Sequence, residues 1–287
     1  MTREPKVDID SFRRQGYAIV PGVFSAAEMQ ALRARLERLR DRERNERNIQ
    51  EDAAHPQLTL ILGDVLGKRE LRDLEYVLFD DRVLACARQI LGDRLVYFGD
   101  SSIQTGEGLR GFHKDNVDRT SDPTAPDWQG EYPLIRFGVY AQDHSRYSGG
   151  LKVREKSHNY PFKHRGKAVN LQSKAGDLIF WSLRTTHSGN NVRLRMLPDL
   201  VLHPRLENLV PRSWRVPEEQ ERFAIFGTFA APGAHLDRYI QFIANRADYL
   251  PHFTRCGLGP ELRDWLSKKG VDFRLPREEY ASQYQAS

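Results

Sequence analysis

The 287 residues carry 44 Lys and Arg against 39 Asp and Glu, a formal net charge of +5 with the histidines neutral. Hydrophobic residues at 39% and aromatics at 10% supply a sizeable core and argue against a disordered chain, while two cysteines are too few for a disulfide framework. No apolar run approaches the roughly eighteen residues of a membrane span, and Met1-Thr2-Arg3-Glu4-Pro5-Lys6 lacks the apolar stretch of a signal peptide, so a cytoplasmic protein without a membrane partner is expected.

Ser25 followed by Glu28 is a capping box, and it predicts the start of a long helix that ends near Asn45. Leu32, Leu36 and Leu39 recur at helical spacing, with arginines and acids interleaved around them. That concentration of charge reads as a solvated amphipathic face before it reads as a polyanion site, and no RNA-binding or helix-turn-helix pattern accompanies it, so no nucleic-acid partner is expected. Between Ile49 and Gly67 only Leu58 to Leu62 is strongly apolar, and no element is predicted there. Asp80 to Leu91 predicts a second amphipathic helix. Strands are predicted over Arg94 to Phe98, Ser102 to Thr105, Leu109 to His113, Leu134 to Gln142, Gly150 to Arg154, Ala168 to Leu171, Asp177 to Trp181 and Arg222 to Ala230. Two long insertions, 116–131 and 191–221, show no periodicity and are expected to overhang a site as lids.

The chemistry concentrates in Gly111-Phe112-His113-Lys114-Asp115 and, far downstream, in Gly176-Asp177-Leu178-Ile179-Phe180-Trp181 followed by Thr186-His187-Ser188-Gly189-Asn190. Side chains two apart on an extended segment share a face, so His113 and Asp115 can bind one ion. A second imidazole, His187, would complete a facial triad that leaves three positions open, the donor set of non-haem Fe(II) oxygenases. Between the halves lie Arg136-Phe137-Gly138-Val139-Tyr140-Ala141, then Ser148-Gly149-Gly150-Leu151-Lys152-Val153, then Glu155-Lys156-Ser157-His158. In this order of motifs the chain resembles the phytanoyl-CoA dioxygenase-like family from about Phe12, whose segment to Phe24 is similar to the family's first strand, to about Phe229. Lys156 stands where that family usually has glycine.

The resemblance implies a mainly β fold with helical decoration, a double-stranded β-helix (jelly-roll, cupin-like) barrel. On that basis the chain is read as a single oxygenase domain over 1–287, with helical support over about 1–92, a barrel over about 93–230 and a C-terminal helical extension over about 233–287. The resemblance also implies Fe(II), 2-oxoglutarate and dioxygen, with 2-oxoglutarate decarboxylated to succinate. Its distal carboxylate needs a cation, for which arginine's planar fork is best suited. Arg222, which precedes the apolar strand Phe223 to Phe229, is preferred, with Arg193 and Arg195 as alternatives. Gln104, Trp181 and Thr185 are candidates to face the pocket. Because Asp115 is present, halogenation is disfavoured and hydroxylation of an unactivated C–H bond of a small molecule is the default outcome, with specialised-metabolite biosynthesis as the setting the family suggests.

Arg110, Lys114 and Arg119 beside the ligands, with Arg205, Arg212, Trp214 and Arg215 in the second insertion, suggest a positive mouth for an anionic or polar substrate. Pairing of these cations with nearby acids is an equally good reading. Two other classes stay open, a non-catalytic jelly-roll binding protein and a cupin-type metal-dependent hydrolase or isomerase.

Overall fold

The computed structural model describes residues 4–45, 59–63, 75–106, 111–119, 121–246 and 260–279. Most of the stretch from Ile49 to Gly67, the strand start at Leu109, Arg110, His55, His252 and Cys256 lie outside the described residues. In chain order the strands are β1 (Tyr17–Val20), β2 (Thr59–Gly63), β3 (Leu95–Tyr97), β4 (Ser102–Gly106), β5 (Leu134–Tyr140), β6 (Lys152–Arg154), β7 (Ala168–Asn170), β8 (Leu178–Ser182), β9 (His187–Ser188), β10 (Phe223–Ala230) and β11 (Val271–Phe273). They form two sheets. The larger runs β1-β8-β5-β10-β3-β11, with β4 also paired to β10 and β2 to β4; the smaller runs β7-β6-β9.

Alternation along β5 gives the larger sheet two unlike faces. Ile135, Phe137 and Val139 join Phe180 and Ile225 in the main core, against Leu32, Leu36 and Leu39 of helix Ala26–Asn45 and Val83, Leu84 and Ala87 of helix Asp81–Leu91. Phe137 stacks on Phe229 with ring centroids 5.6 Å apart. The other face presents Tyr140, Ile179, Trp181, Ala224 and Phe226, which pack on Leu151, Val153 and Leu171 beside and within the smaller sheet. The two sheets therefore close on each other as a jelly roll, with the narrow space between them as the place for a site. Gly138 is required in that space, because a β-carbon there would lie 2.8 Å from the Phe226 ring.

The capping box is present: Glu28 Oε2 accepts the Ser25 N–H at 2.7 Å and Ser25 Oγ accepts the Glu28 N–H at 3.3 Å. The helix it starts is less solvated than its composition suggests. Arg33 is bonded to Gln142 and to the Glu221 carbonyl and lies over the Phe223 ring, and Arg40 pairs with Glu221, so this charged face fastens the end of the second insertion.

β2 overlaps the apolar stretch Leu58 to Leu62, where no element is predicted, and three further parts of the chain add to or depart from the sequence expectation. The C-terminal extension is not wholly helical: after helices Ala234–Ala244 and Pro260–Lys268, β11 pairs in parallel with β3 and adds an edge strand to the larger sheet. Three residues, Val-Asp-Phe, are too few to show a period. The insertion 116–131 is pinned to the body of the fold, since fully buried Asp127 accepts from Asn116 Nδ2 and the Asp118 N–H while Arg238 pairs with both acids. The insertion 191–221 is likewise fastened, by a completely buried ion pair at 2.6 Å between Lys152 on β6 and Glu207, whose carboxylate also accepts the Val192 N–H.

Candidate metal centre

His187 opens β9 and pairs with Val153 of β6; across its other edge it meets His113 in an antiparallel bridge. The two residues exchange both backbone bonds, His113 N–H to His187 O at 3.0 Å and His187 N–H to His113 O at 2.9 Å. A directly opposed pair brings side chains on one face together, and the imidazole centroids are 4.2 Å apart. Asp115, whose N–H donates to the Leu183 carbonyl at 2.9 Å, returns its carboxylate to within 3.6 Å of His113 Nε2 and 3.5 Å of His187 Nε2. One donor atom from each of the three lies within 4.8 Å of the others, so the trio could hold a metal ion.

The surroundings suit ligation. His113 Nδ1 lies 2.9 Å from the Gly111 carbonyl and His187 Nδ1 3.0 Å from that of Thr185; each must donate there, which assigns the proton to Nδ1 and turns the Nε2 lone pair to the ion. Burial, followed by the neighbouring His113, pushes the His187 pKa down to about 3, so its imidazole is neutral at physiological pH. Burial alone would raise that of Asp115, but Arg136 and the two histidines outweigh it and hold the carboxyl well below the usual range.

A cavity of about 80 Å³ opens beside the trio. His113, His187 and Leu151 form one side; Gln104, Arg136, Tyr140, Trp181 and Phe226 of the larger sheet form the other. Arg222 completes it, 1% exposed, its guanidinium over the rings of Tyr140 at 5.4 Å and Phe226 at 5.9 Å. Its Nε and Nη1 have no hydrogen-bond partner. A buried guanidinium with open donors is costly unless an anion completes it. A carboxylate in this cavity would do so, and the site therefore fits a chelating dicarboxylate beside a divalent ion.

The other sequence candidates are elsewhere. Arg193 is buried, but its Nη1 donates to the Ser145 carbonyl and to Gln172 Oε1 at 3.0 Å, and it does not line the cavity. Arg195 is exposed. Gln104 and Trp181 both line the cavity; Thr185 instead turns its hydroxyl to the Gly16 carbonyl at 2.7 Å. Lys114 is not at a mouth: fully buried, its Nζ donates to the Ser157 carbonyl at 2.8 Å and the Arg184 carbonyl at 2.6 Å, tying the two halves of the trio together, and burial lowers its pKa to about 7. Among the described residues of 116–131 and 191–221 none lines this cavity, although His203 meets Phe112 edge to face at 5.7 Å. Of the other described histidines, His158 bonds the Arg13 carbonyl and His144 that of Ser148.

Sequence reasoning missed Arg136. Its Nη1 lies 3.1 Å from Asp115 Oδ2 while its Nη2 pairs with Asp100, which also accepts from Tyr239 at 3.0 Å. The signal was available, because a lone arginine inside the apolar run Leu134-Ile135-Arg136-Phe137 needs an acid or a ligand.

Among the described residues no helix is long and apolar enough to cross a membrane. No curated protein matches the chain. Solved structures share its fold. One is the non-heme alpha ketoglutarate dependent epimerase SnoN from nogalamycin biosynthesis, 20% identical with a TM-score of 0.50 over 78% of this chain and 80% of that one. HygX from Streptomyces hygroscopicus, with nickel and 2-oxoglutarate bound, is 17% identical with a TM-score of 0.53, covering 80% and 87%. The non-heme alpha ketoglutarate dependent carbocyclase SnoK, also from nogalamycin biosynthesis, is 17% identical with a TM-score of 0.53, covering 83% and 90%. The sequence profile of phytanoyl-CoA dioxygenase (PhyH) matches residues 12–193, which span the first strand, the trio and the motifs between its halves. The chain thus belongs to the phytanoyl-CoA dioxygenase (PhyH) family of Fe(II)/2-oxoglutarate-dependent enzymes.

Proposed function

We propose that this enzyme hydroxylates an unactivated C–H bond of a small molecule, with His113, Asp115 and His187 as the iron ligands and Arg222 as the anchor for the distal carboxylate of 2-oxoglutarate. The observation that carries the reading is the open, buried guanidinium of Arg222 in the cavity that His113 and His187 border. When bound, Fe(II) would activate dioxygen as the oxidant, with 2-oxoglutarate supplying two electrons as it is decarboxylated to succinate and carbon dioxide. The chain's own share is geometric. The carbonyls of Gly111 and Thr185 fix the imidazoles, Arg222 sets the depth of the dicarboxylate, and Trp181 and Phe226 wall the space against water.

The reading takes residues 1–287 as one oxygenase domain and places it in the cytoplasm, where reducing conditions suit Fe(II) and the buried thiol of Cys86. Gln104 is taken to contact the cosubstrate, Trp181 to border it, and Arg193 and Arg195 to have no part in holding it. A polar or anionic small molecule of specialised metabolism is the proposed substrate class. In support, a fold neighbour was crystallised with nogalamycin RO and another with hygromycin B. Those neighbours include an epimerase and a carbocyclase, so product mass decides the outcome: hydroxylation adds one oxygen atom. The test of the site is anaerobic visible absorption with Fe(II) before and after 2-oxoglutarate. A weak charge-transfer band on addition supports chelation at a protein-bound iron; its absence from folded, iron-loaded protein would move the reading to a binding barrel or to hydrolytic chemistry.

A further inference from the structure

The cavity wall carries two guanidiniums in opposite electrostatic states. Arg222 has open donors, whereas Arg136 is already offset by the two largely buried carboxylates of Asp115 and Asp100. Arg136 is also held from behind, because Asp100 is itself fixed by Tyr239 of helix Ala234–Ala244 and its carbonyl accepts from Thr228 Oγ1 at 2.8 Å. Its cation therefore cannot swing away when the charge on Asp115 changes partner.

A divalent ion on the trio takes the charge of Asp115 for itself. Arg136 is then a fixed cation beside a dication, in a partly desolvated space where like charges repel strongly. An anionic group chelated to the metal on the cavity side, where Arg136 is exposed to it, removes that repulsion and gives the guanidinium a new partner. We infer that Arg136 is a positioning residue that makes metal capture at the trio depend on the dicarboxylate cosubstrate, by holding Asp115 in the empty site and receiving the chelated carboxylate in the filled one. Fixed by Asp100 and Tyr239, it penalises metal alone and favours metal with cosubstrate. This rests on the proposed 2-oxoglutarate site and adds to it a coupling between the two ligands.

The experiment is calorimetric titration of Ni(II) into the full-length apoprotein, without and with saturating 2-oxoglutarate, for wild type, Arg136→Met, Arg136→Lys and Arg222→Met. Wild type should bind Ni(II) about tenfold more tightly when 2-oxoglutarate is present, within the usual range of coupling between two ligands. In Arg136→Met the affinity for Ni(II) alone should hold or rise, while the gain from 2-oxoglutarate falls to about twofold or less. Arg136→Lys, which keeps the charge and spares the fold, should retain most of the gain. A full gain in Arg136→Met overturns the inference, and so does a loss of Ni(II) affinity that is equal with and without 2-oxoglutarate, the mark of a merely structural residue. If the wild-type gain is lost in Arg222→Met but intact in Arg136→Met, the cosubstrate reading stands and only the role of Arg136 fails. No gain in wild type overturns both.

Discussion

The two faces of β5 are separated by a single residue step, yet they solve different problems. Phe137 points away from the site, stacks on Phe229 and is completely buried among apolar side chains. Arg136, beside it, points into the space between the sheets and touches two carboxylates. The outer face gains stability by removing apolar surface from water. The inner face carries charges that cost stability to bury, offset at Arg136 by two carboxylates and left with open donors at Arg222 for a ligand to complete. The apolar face of the strand thus offsets the cost of its charged one, and perturbing either face should move a different observable.

The largest separation should come from the proposed metal ligands. His187→Ala removes one donor from a trio with three, and His187 is already uncharged in the folded protein, so the cost to folding should be small. Losing the metal's contribution of several kcal/mol to the barrier should lower turnover by about 10³-fold or more. Metal analysis of the purified variant, paired with its thermal melt, checks both halves; retained stoichiometric iron would remove His187 from the site. Phe137→Ala is the mirror case, expected to cost about 3–5 kcal/mol of stability while leaving metal and 2-oxoglutarate affinity unchanged at temperatures where the variant is folded. If that substitution instead weakens the cosubstrate, the two faces are coupled and do not act separately. Arg222→Met lies between them. It removes a charged hydrogen-bond donor set worth about 2 kcal/mol, so 2-oxoglutarate should bind about 30-fold more weakly, with stability unchanged or improved because a buried charge is gone.

The same contrast explains which features are legible in the sequence alone. The outer face follows periodicity: the leucines of helix Ala26–Asn45 and the apolar runs of β5, β8 and β10 are local patterns that a sequence displays directly. His113 and Asp115 are also local, two residues apart, and His187 is recognisable from the motif around it. Arg222 is already preferred in the sequence for the apolar strand it precedes, whereas the pairing of Arg136 with Asp100 and the turning of Arg193 away from the cavity depend on which residues a fold brings together across long separations. Arg193 stands six residues after His187 and still turns to Ser145 and Gln172. β9 has two residues and β11 three, too few to show a repeated alternation, and each pairs along the edge of a neighbouring strand.

The smallest expected effect tests whether the outer side can be changed without touching the site at all. Glu28, on the helix that covers the outer face, has its pKa lowered to about 2, first by its bond from Arg82 Nη2 at 2.6 Å and then by the Ser25 N–H. A carboxyl whose folded pKa is depressed stabilises the fold above its unfolded value of 4.5, and that stabilisation is lost as pH falls towards 2. Both side chains of the pair are about a third or more exposed, at 40% for Glu28 and 33% for Arg82, and solvent screening keeps the contribution below about 1 kcal/mol. Arg82 also retains its bonds to Asp80. Glu28→Gln should therefore lower stability slightly at pH 6, with the difference from wild type shrinking as pH drops through 4 towards 2, measured by urea denaturation of the metal-free protein. Metal affinity and its gain with 2-oxoglutarate should be unchanged, because neither Glu28 nor Arg82 lines the cavity and the apolar core lies between them and the trio. A pH-independent difference would assign the role of Glu28 to the capping box geometry rather than to its charge.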